Sequence, residues 1–138
     1  MKRIDLNKAP KIGGFDKVVS NVKHGELFLN REMIASRVKL FISEAQRVGG
    51  VGGRKLLESV PEKNIVFNSV FLDWLLRNPE YIPEEWKGKF TFFAGTVFMK
   101  NGVEVIRFLY FGLNGWASSY RWLIRGFHIN SPLATLAA

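Results

Sequence analysis

The sequence predicts an α+β fold in which N-terminal helices pack on a C-terminal three-stranded antiparallel β-meander. Apolar residues recur at helical spacing between positions 31 and 47. Two Asn-Gly pairs, at 101–102 and 114–115, separate β-rich runs, and Asn-Gly is the preferred pair for a two-residue hairpin turn. A length of 138 residues suits one core. We therefore expect a single domain over residues 1–138.

The composition is that of a folded protein without thiol chemistry. Hydrophobic residues make up 47% of the chain, which gives it the apolar surface that a disordered segment lacks. Cysteine is absent, which excludes disulfide scaffolds, cysteine nucleophiles and Cys-ligated zinc. The basic start, Met1 to Lys8, is followed by no apolar stretch, and no segment reaches the roughly 20 apolar residues of a membrane span. We expect a cytoplasmic protein.

The first 23 residues are predicted to form an extended basic arm with some mobility. They carry six Lys or Arg residues and show neither helical nor strand periodicity. The net charge of +8 is concentrated nearby, because residues 1–60 hold 12 Lys and Arg against 6 Asp and Glu. Clustered Lys and Arg gain affinity for polyanions by releasing counterions from phosphates. The alternative is a basic surface that serves only solubility.

The clearest predicted helix spans residues 31–47. Asn30 can cap its first turn, since its side-chain oxygen accepts from free backbone N–H groups. Gly49-Gly50 ends it, because glycine adopts the left-handed capping conformation. The glycines up to Gly53 precede Arg54-Lys55, but the helix before this loop and the residues after it do not fit a Walker phosphate loop. We interpret it as a connector to a short helix, 54–59. The apolar face of the first helix is predicted to consist of Ile34, Val38, Phe41, Ile42 and Ala45.

A second strong helix is predicted over residues 69–77, capped by Asn68 or Ser69. It is apolar nearly all round and must therefore sit deep in the fold. Asp73, its one acid, is expected to pair with Arg77 four residues later. Pro83, at a first helical position, predicts one further helical turn over residues 83–86.

The meander is predicted as strands 90–99, 103–112 and 116–125. If both Asn-Gly pairs form two-residue turns, Lys100 faces Val103 and Leu113 faces Trp116. Both sheet faces are largely apolar and need cover. This leaves open a monomer with helices on opposite sides and a twofold homodimer that pairs a free face. The rows predicted on one face are Phe98/Val105/Ile124, Thr96/Arg107/Trp122 and Ala94/Leu109/Tyr120.

Several segments within residues 64–138 resemble a known group of proteins. They are Ile65 to Pro79, Ile82 to Lys89, Phe93-Ala94-Gly95-Thr96, Tyr120-Arg121-Trp122-Leu123, and the ending Ser131 to Ala137. Together they look like an uncharacterised family of small hypothetical proteins from candidate-phyla bacteria of the Parcubacteria type. The resemblance implies no activity, cofactor or catalytic residue. The chain departs from it at residues 124–127, where such proteins often carry acidic residues and another Trp.

No catalytic constellation stands out in the sequence. His24 and His128 are the two histidines, and neither has the spacing of a metal-binding motif. Glu84 and Glu85 point about 100° apart on a helix, which favours a helix-dipole role over a shared site. We therefore expect a non-enzyme without catalytic, cofactor-binding or metal-binding residues. An enzyme would have to assemble its site from scattered residues.

The sequence does not define a function, and two hypotheses remain. The first is a small non-catalytic binding or adaptor protein with an unknown protein partner. The second is an RNA- or single-strand-binding protein in which Tyr120 and Trp122 stack on bases beside Arg107. These aromatics could equally be ordinary core, and their exposure decides between the two. The candidate nucleic-acid contacts are Lys2, Arg3, Lys8, Lys11, Lys17, Lys23, Arg54, Lys55, Arg107, Tyr120 and Trp122.

Overall fold

Short strands and helices alternate along the chain in the computed structural model, which describes residues 1–136. Ala137, the last residue of the closing motif, lies outside the described residues. The strands are β1 (Lys2–Asp5), β2 (Lys17–Asn21), β3 (Glu26–Leu29), β4 (Val38–Phe41), β5 (Val51–Gly52), β6 (Ile65–Val66), β7 (Thr91–Phe92), β8 (Thr96–Lys100), β9 (Val103–Gly112), β10 (Gly115–Trp122), β11 (Gly126–Phe127) and β12 (Leu133–Leu136). The helices are α1 (Arg31–Arg37), α2 (Glu44–Val48), α3 (Gly53–Ser59) and α4 (Ser69–Arg77), with 3-10 turns at Pro79–Tyr81 and Glu84–Trp86.

The predicted fold class, helices on a three-stranded meander, is wrong. The structure is mixed α/β and is dominated by an eight-stranded sheet, while its four helices are short. The sheet order is β2-β8-β9-β7-β12-β4, with β10 added to β9 and β6 added to β12. β1 with β3 and β5 with β11 form two further two-stranded sheets. The main sheet is larger than predicted because apolar segments outside the meander also need partners for their backbone groups.

The predicted helix 31–47 is wrong because its middle forms a strand. Asn30 caps α1 as predicted, but that helix has only seven residues. β4 follows directly and pairs along its whole length with β12, which puts Phe41 opposite Leu133. Apolar spacing alone is compatible with either state over so short a stretch, and the backbone partner offered by β12 decides for the strand.

α2 begins at a capping box that divides it from α1. Ser43 Oγ accepts from Gln46 N at 3.2 Å, and Gln46 Oε1 accepts from Ser43 N at 2.9 Å. Gln46 Nε2 also donates to the carbonyls of Ser131 at 2.8 Å and His128 at 3.0 Å. The box therefore starts a separate helix and ties it to the loop before β12.

The first Asn-Gly hairpin has the predicted register. Asn101 and Gly102 have φ angles of 50° and 78°. Lys100 pairs with Val103 across this turn. Two consecutive left-handed residues are what a type I′ turn requires, and asparagine and glycine tolerate that region best.

The second Asn-Gly pair forms a different turn. Gly112 pairs with Gly115, so the predicted pairing of Leu113 with Trp116 is wrong. Gly115 has a φ of 100° and follows the turn rather than lying inside it. The register of β10 on β9 moves by two residues, and each side chain keeps its predicted face because strand side chains alternate with period two.

The predicted strand 90–99 is split in two. β7 and β8 pair with the same edge of β9, but the chain leaves the ladder at Ala94 and Gly95. There Gly95 N donates to Phe67 O at 2.9 Å. A Cβ on Gly95 would lie 2.4 Å from Val66 O. The sheet forks at this crossing, since β2 continues from β8 while β12 continues from β7.

Side chains of the same chain cover part of both faces of the β8–β9–β10 region. α4 spans its predicted residues, and its Phe71 packs with Leu109 of β9 in one buried cluster. On the opposite face, Leu56 of α3 packs with Ile106 and Leu123 in a second cluster. Both faces therefore receive cover from within the chain, while Phe111, Tyr120 and Trp122 on the α4 face stay 38–44% exposed.

The predicted N-terminal arm is attached to the fold at both ends. β1 pairs with β3 and buries Ile4, and Leu6 just after it is buried as well. β2 pairs with β8. Asn68 Nδ2 donates to the carbonyls of Leu6 at 3.0 Å and Val22 at 2.8 Å. Only the stretch between β1 and β2 forms a long surface loop, and it crosses the side of the molecule that carries α4.

Candidate nucleic-acid interface

The aromatic row on β10 lies open to solvent at its far end. Tyr120 and Trp122 point to one face of the strand and are 38% and 41% exposed. Trp122 lies opposite Val105, which pairs in turn with Phe98, and both of these are fully buried. The row therefore passes from closed core to open surface within one sheet. Tyr120 and Trp122 are thus partly open, whereas an ordinary core face would be closed.

The loop between β1 and β2 adds a third ring to this row. Phe15 stacks on Phe98 at 4.4 Å between centroids, and its ring meets Tyr120 edge-on at 5.4 Å. The loop is held there because Lys100 Nζ donates to Gly14 O at 3.2 Å. We call Phe15, Tyr120 and Trp122 the aromatic surface.

Cations flank the aromatic surface on both sides. Lys100 Nζ lies 5.8 Å from the Tyr120 ring centroid. Arg125 places its guanidinium carbon 5.2 Å from the Trp122 ring centroid. An aromatic ring with a cation beside it can stack on a flat base while the cation contacts a phosphate.

Arg107 does not lie beside Trp122, as the sequence predicts, but opposite Tyr120. Its Nη1 is 2.9 Å from Asp73 Oδ1, and its Nη2 donates to Ser118 Oγ at 3.1 Å. The Arg107 and Asp73 side chains are only 14% and 18% exposed. The predicted helical pair of Asp73 with Arg77 is therefore replaced by an ion pair that joins α4 to the sheet beneath Tyr120.

Lys8 and Lys11 approach the same region from the loop. Together with Arg77 and Asp73 of α4 they line a cleft of about 310 Å³. Asp73 thus connects this cleft to Arg107 and, through it, to Tyr120. We call Lys8, Lys11 and Arg77 the cationic cleft.

Other predicted contacts lie elsewhere or are already engaged. Arg3 forms an ion pair with Glu26, whose pKa is held below its ordinary value by that hydrogen bond. Arg54 pairs with Glu104, whose side chain lies on the opposite face of β9 from Val105. Lys55 lines a separate cavity of about 450 Å³ between α2 and α3.

Three more predicted lysines lie on the N-terminal strands or just after them. Lys17 belongs to β2 and pairs with Met99, which pairs in turn with Glu104, so its side chain lies on the sheet face opposite Val105 and the aromatic surface. Lys2 in β1 and Lys23 after β2 are exposed. The structure thus brings Lys8, Lys11, Arg107, Tyr120 and Trp122 to one side of the molecule and leaves Lys17, Arg54 and Lys55 apart.

Sequence reasoning missed Phe15, Arg77, Lys100 and Arg125. Phe15 gave a weak signal, because a single aromatic side chain in a glycine-flanked loop needs a surface to pack on. The sequence contains no signal that places Arg77, Lys100 or Arg125 at the site. Their relation to Tyr120 and Trp122 depends on the path of the loop and on the register of β10, which only the folded chain shows.

The two histidines make local contacts. His24 packs edge-on against Phe67 at 5.6 Å, and burial lowers its pKa below 6.5 despite a backbone hydrogen bond at Val66. His128 Nδ1 donates to Gly49 O at 2.8 Å. Across residues 1–136, no three His, Asp or Glu side chains come together as metal ligands.

Comparison with protein-family models, with curated proteins and with solved structures finds no match. Among the described residues, no helix combines the length and apolar character needed to cross a membrane. The resemblance of residues 64–138 to the uncharacterised bacterial family stays a prediction.

Proposed function

We propose that this chain is a non-catalytic binding protein for single-stranded nucleic acid, with the aromatic surface as its base-stacking platform. The observation that carries the proposal is the exposure of Tyr120 and Trp122 on one sheet face, 38% and 41%, beside residues that are fully buried. Stacking of a base on an aromatic side chain contributes about 1–3 kcal/mol and tolerates any sequence.

The charges around the platform support a phosphate-bearing ligand. Lys100 and Arg125 lie beside its rings, and Lys8, Lys11 and Arg77 line the cleft next to Asp73, which Arg107 joins to Tyr120. Such a surface gains affinity by releasing phosphate counterions.

The spacing of the rings favours a single strand over a duplex. Tyr120 and Trp122 are two residues apart on a strand, so their backbone positions are about 6.6–6.8 Å apart. A duplex stacks its bases against one another and exposes only their edges. Unpaired bases can spread to this spacing and offer their flat faces, which is how single strands are bound on sheet surfaces.

The test is fluorescence anisotropy with a labelled single-stranded RNA of mixed sequence, and with the same strand in a duplex. We expect Trp122→Ala to weaken single-strand binding about 5- to 150-fold, the equivalent of one lost stacking contact. Phe111→Ala is the matched control, because Phe111 is 44% exposed but lies at the other end of the β9–β10 hairpin. It should bind as the wild type does.

Two results would contradict the proposal. One is the absence of RNA binding at low salt. The other is equal affinity for the Trp122→Ala and Phe111→Ala variants, which would leave electrostatic attraction without stacking. Circular dichroism of each variant confirms that the fold is kept.

A further inference from the structure

The cationic cleft holds three positive charges without a counter-ion among the described residues. Lys8, Lys11 and Arg77 line it, and within residues 1–136 none of the three forms an ion pair. The one carboxylate in the cleft belongs to Asp73, which lies 2.9 Å from Arg107 Nη1 and is neutralised there. Like charges around one space repel one another, and an anion bound between them removes this repulsion. The cleft therefore favours an anionic occupant.

Two separately anchored walls form the cleft. On one side, Asp73 and Arg77 lie four residues apart on the same stripe of α4. On the other side, the loop between β1 and β2 carries both lysines. Leu6 O accepts a hydrogen bond of 3.0 Å before the lysines, and Gly14 O accepts one of 3.2 Å after them. The backbone that carries the three cations is thus fixed around one space.

A phosphomonoester matches these cations better than an internal phosphodiester does. At neutral pH it carries a charge of about −1.5 to −2 and three acceptor oxygens, whereas a phosphodiester carries a single negative charge. Arg77 can bind two of these oxygens with its guanidinium fork, and each lysine supplies a point charge. The cleft volume of about 310 Å³ lies at the small end of ligand cavities, which suits one terminal group better than a chain that passes through.

The cleft lies next to the base-stacking platform. Arg107 connects the two, because it pairs with Tyr120 across the β9–β10 ladder and with Asp73 at the cleft. Opposite residues of an antiparallel pair project from the same sheet face, which places the Tyr120 ring on the face that α4 covers. A nucleotide stacked on Tyr120 can therefore extend its phosphate toward the cleft.

We propose, on the basis of the nucleic-acid function above, that the cationic cleft binds the terminal phosphate of a bound single strand. The terminal base stacks on Tyr120 while Lys8, Lys11 and Arg77 hold its phosphomonoester. Strands that end in a phosphate are then preferred to strands that end in a hydroxyl. A 5′-phosphate and a 3′-phosphate offer the same chemical group, and the experiment separates them.

The probes are single-stranded RNAs of about ten nucleotides, within the range of lengths that single-strand-binding folds cover. One carries a 5′-phosphate and one a 3′-phosphate, each with fluorescein at the other end and each with a matched hydroxyl-ended RNA. We expect the wild type to bind one phosphorylated RNA about tenfold or more tightly than its hydroxyl-ended match, the effect of at least one charge-assisted hydrogen bond. Fluorescence anisotropy measures the affinities.

Two sets of variants separate the cleft from the platform. Arg77→Gln and the double variant Lys8→Gln/Lys11→Gln should each bring the phosphorylated and hydroxyl-ended RNAs close to equal affinity. Arg125→Gln is the charge-matched control, because it removes a positive charge beside Trp122 and not at the cleft. It should weaken both RNAs alike and leave the preference intact. Circular dichroism shows whether each variant is folded.

Uridine monophosphates test the cleft without altering the protein. In NMR titrations, uridine 5′- or 3′-monophosphate should shift the amide signals of Ala9 and Val70, which line the cleft from its two walls. Uridine without a phosphate should leave both signals in place.

Equal affinity of the wild type for phosphorylated and hydroxyl-ended RNAs would overturn the proposal. If a uridine monophosphate still shifted Ala9 and Val70, the cleft would then belong to a free phosphorylated molecule. A preference that survives both cleft variants would overturn the proposal as well. The effect of Trp122→Ala on hydroxyl-ended RNA reports on the platform alone, and the ratio of the two RNA affinities reports on the cleft, so failures of the two proposals are distinguishable.

Discussion

Gly95 lies where two backbone segments cross without a side chain between them. Its N–H donates to Phe67 O, and the space that a Cβ would need is occupied by backbone atoms, with Val66 O at 2.4 Å. Backbone at a strand crossing cannot rotate away as the end of a long side chain can. Close approach of this kind is one reason for glycine inside a strand pattern.

We expect Gly95→Ala to lower the free energy of unfolding by about 1–3 kcal/mol, the usual cost of forcing extra volume into packed structure. Gly14→Ala is the control, because a Cβ on Gly14 meets nothing within 4 Å. Urea denaturation followed by tryptophan fluorescence measures both. A loss for Gly95→Ala no larger than that for Gly14→Ala would show that the crossing relaxes freely.

Among the helices and strands, the sequence predicts local structure correctly where one or two residues determine a cap or a turn. Asn30 and the Asn101-Gly102 pair act as the sequence indicates, because a cap or a turn depends on a few neighbouring backbone angles. Helix 31–47 was wrong because β12, nearly a hundred residues later, provides a strand partner. The ion pair of Asp73 with Arg107 could not be read from the sequence for the same reason, since it joins different elements.

One overlooked local signal was the pattern Ser43-x-x-Gln46, which marks a helix start inside the supposed helix. Ser43→Ala removes the hydrogen bond to Gln46 N and should cost about 0.5–2 kcal/mol of stability. Ser36→Ala in α1 provides the control, since that serine is exposed and should change stability by less than about 0.5 kcal/mol. Thermal and urea unfolding of the two variants makes the comparison. If the two variants lose equally little stability, the capping box does not hold α2 in place.

The candidate site also has features that the local sequence predicts and features that depend on distant parts of the chain. Tyr120 and Trp122 lie on the sheet face that the sequence predicts for them, because a two-residue change of register keeps each side chain on its face. Their exposure, and the approach of Phe15, depend on how the loop between β1 and β2 crosses the sheet. No pattern in the sequence specifies that path.

Over the whole molecule, the net charge of +8 is spread widely, and only part of it faces the aromatic surface. The double variant Lys8→Gln/Lys11→Gln should lower the slope of log affinity against log salt by about 1.4, at about 0.7 for each phosphate contact to a single strand. Lys2→Gln/Lys55→Gln removes the same charge elsewhere and should change the slope much less. RNA binding at four salt concentrations gives all three slopes. Equal slopes for the two double variants would mean that binding follows total charge and not the cationic cleft.

The position of β12 in the sheet has a consequence for how the chain folds as it is made. β12 pairs with β4, β6 and β7, and all three precede it on the chain, so their edges stay unsatisfied while the polypeptide emerges from the ribosome. The contact of Thr135 with Lys39 spans 96 residues, and long-range pairings of this kind form slowly. The unfinished sheet therefore exposes unpaired apolar strands until residues 133–136 have left the exit tunnel. That interval is the period in which the nascent protein is most open to aggregation and most in need of a chaperone.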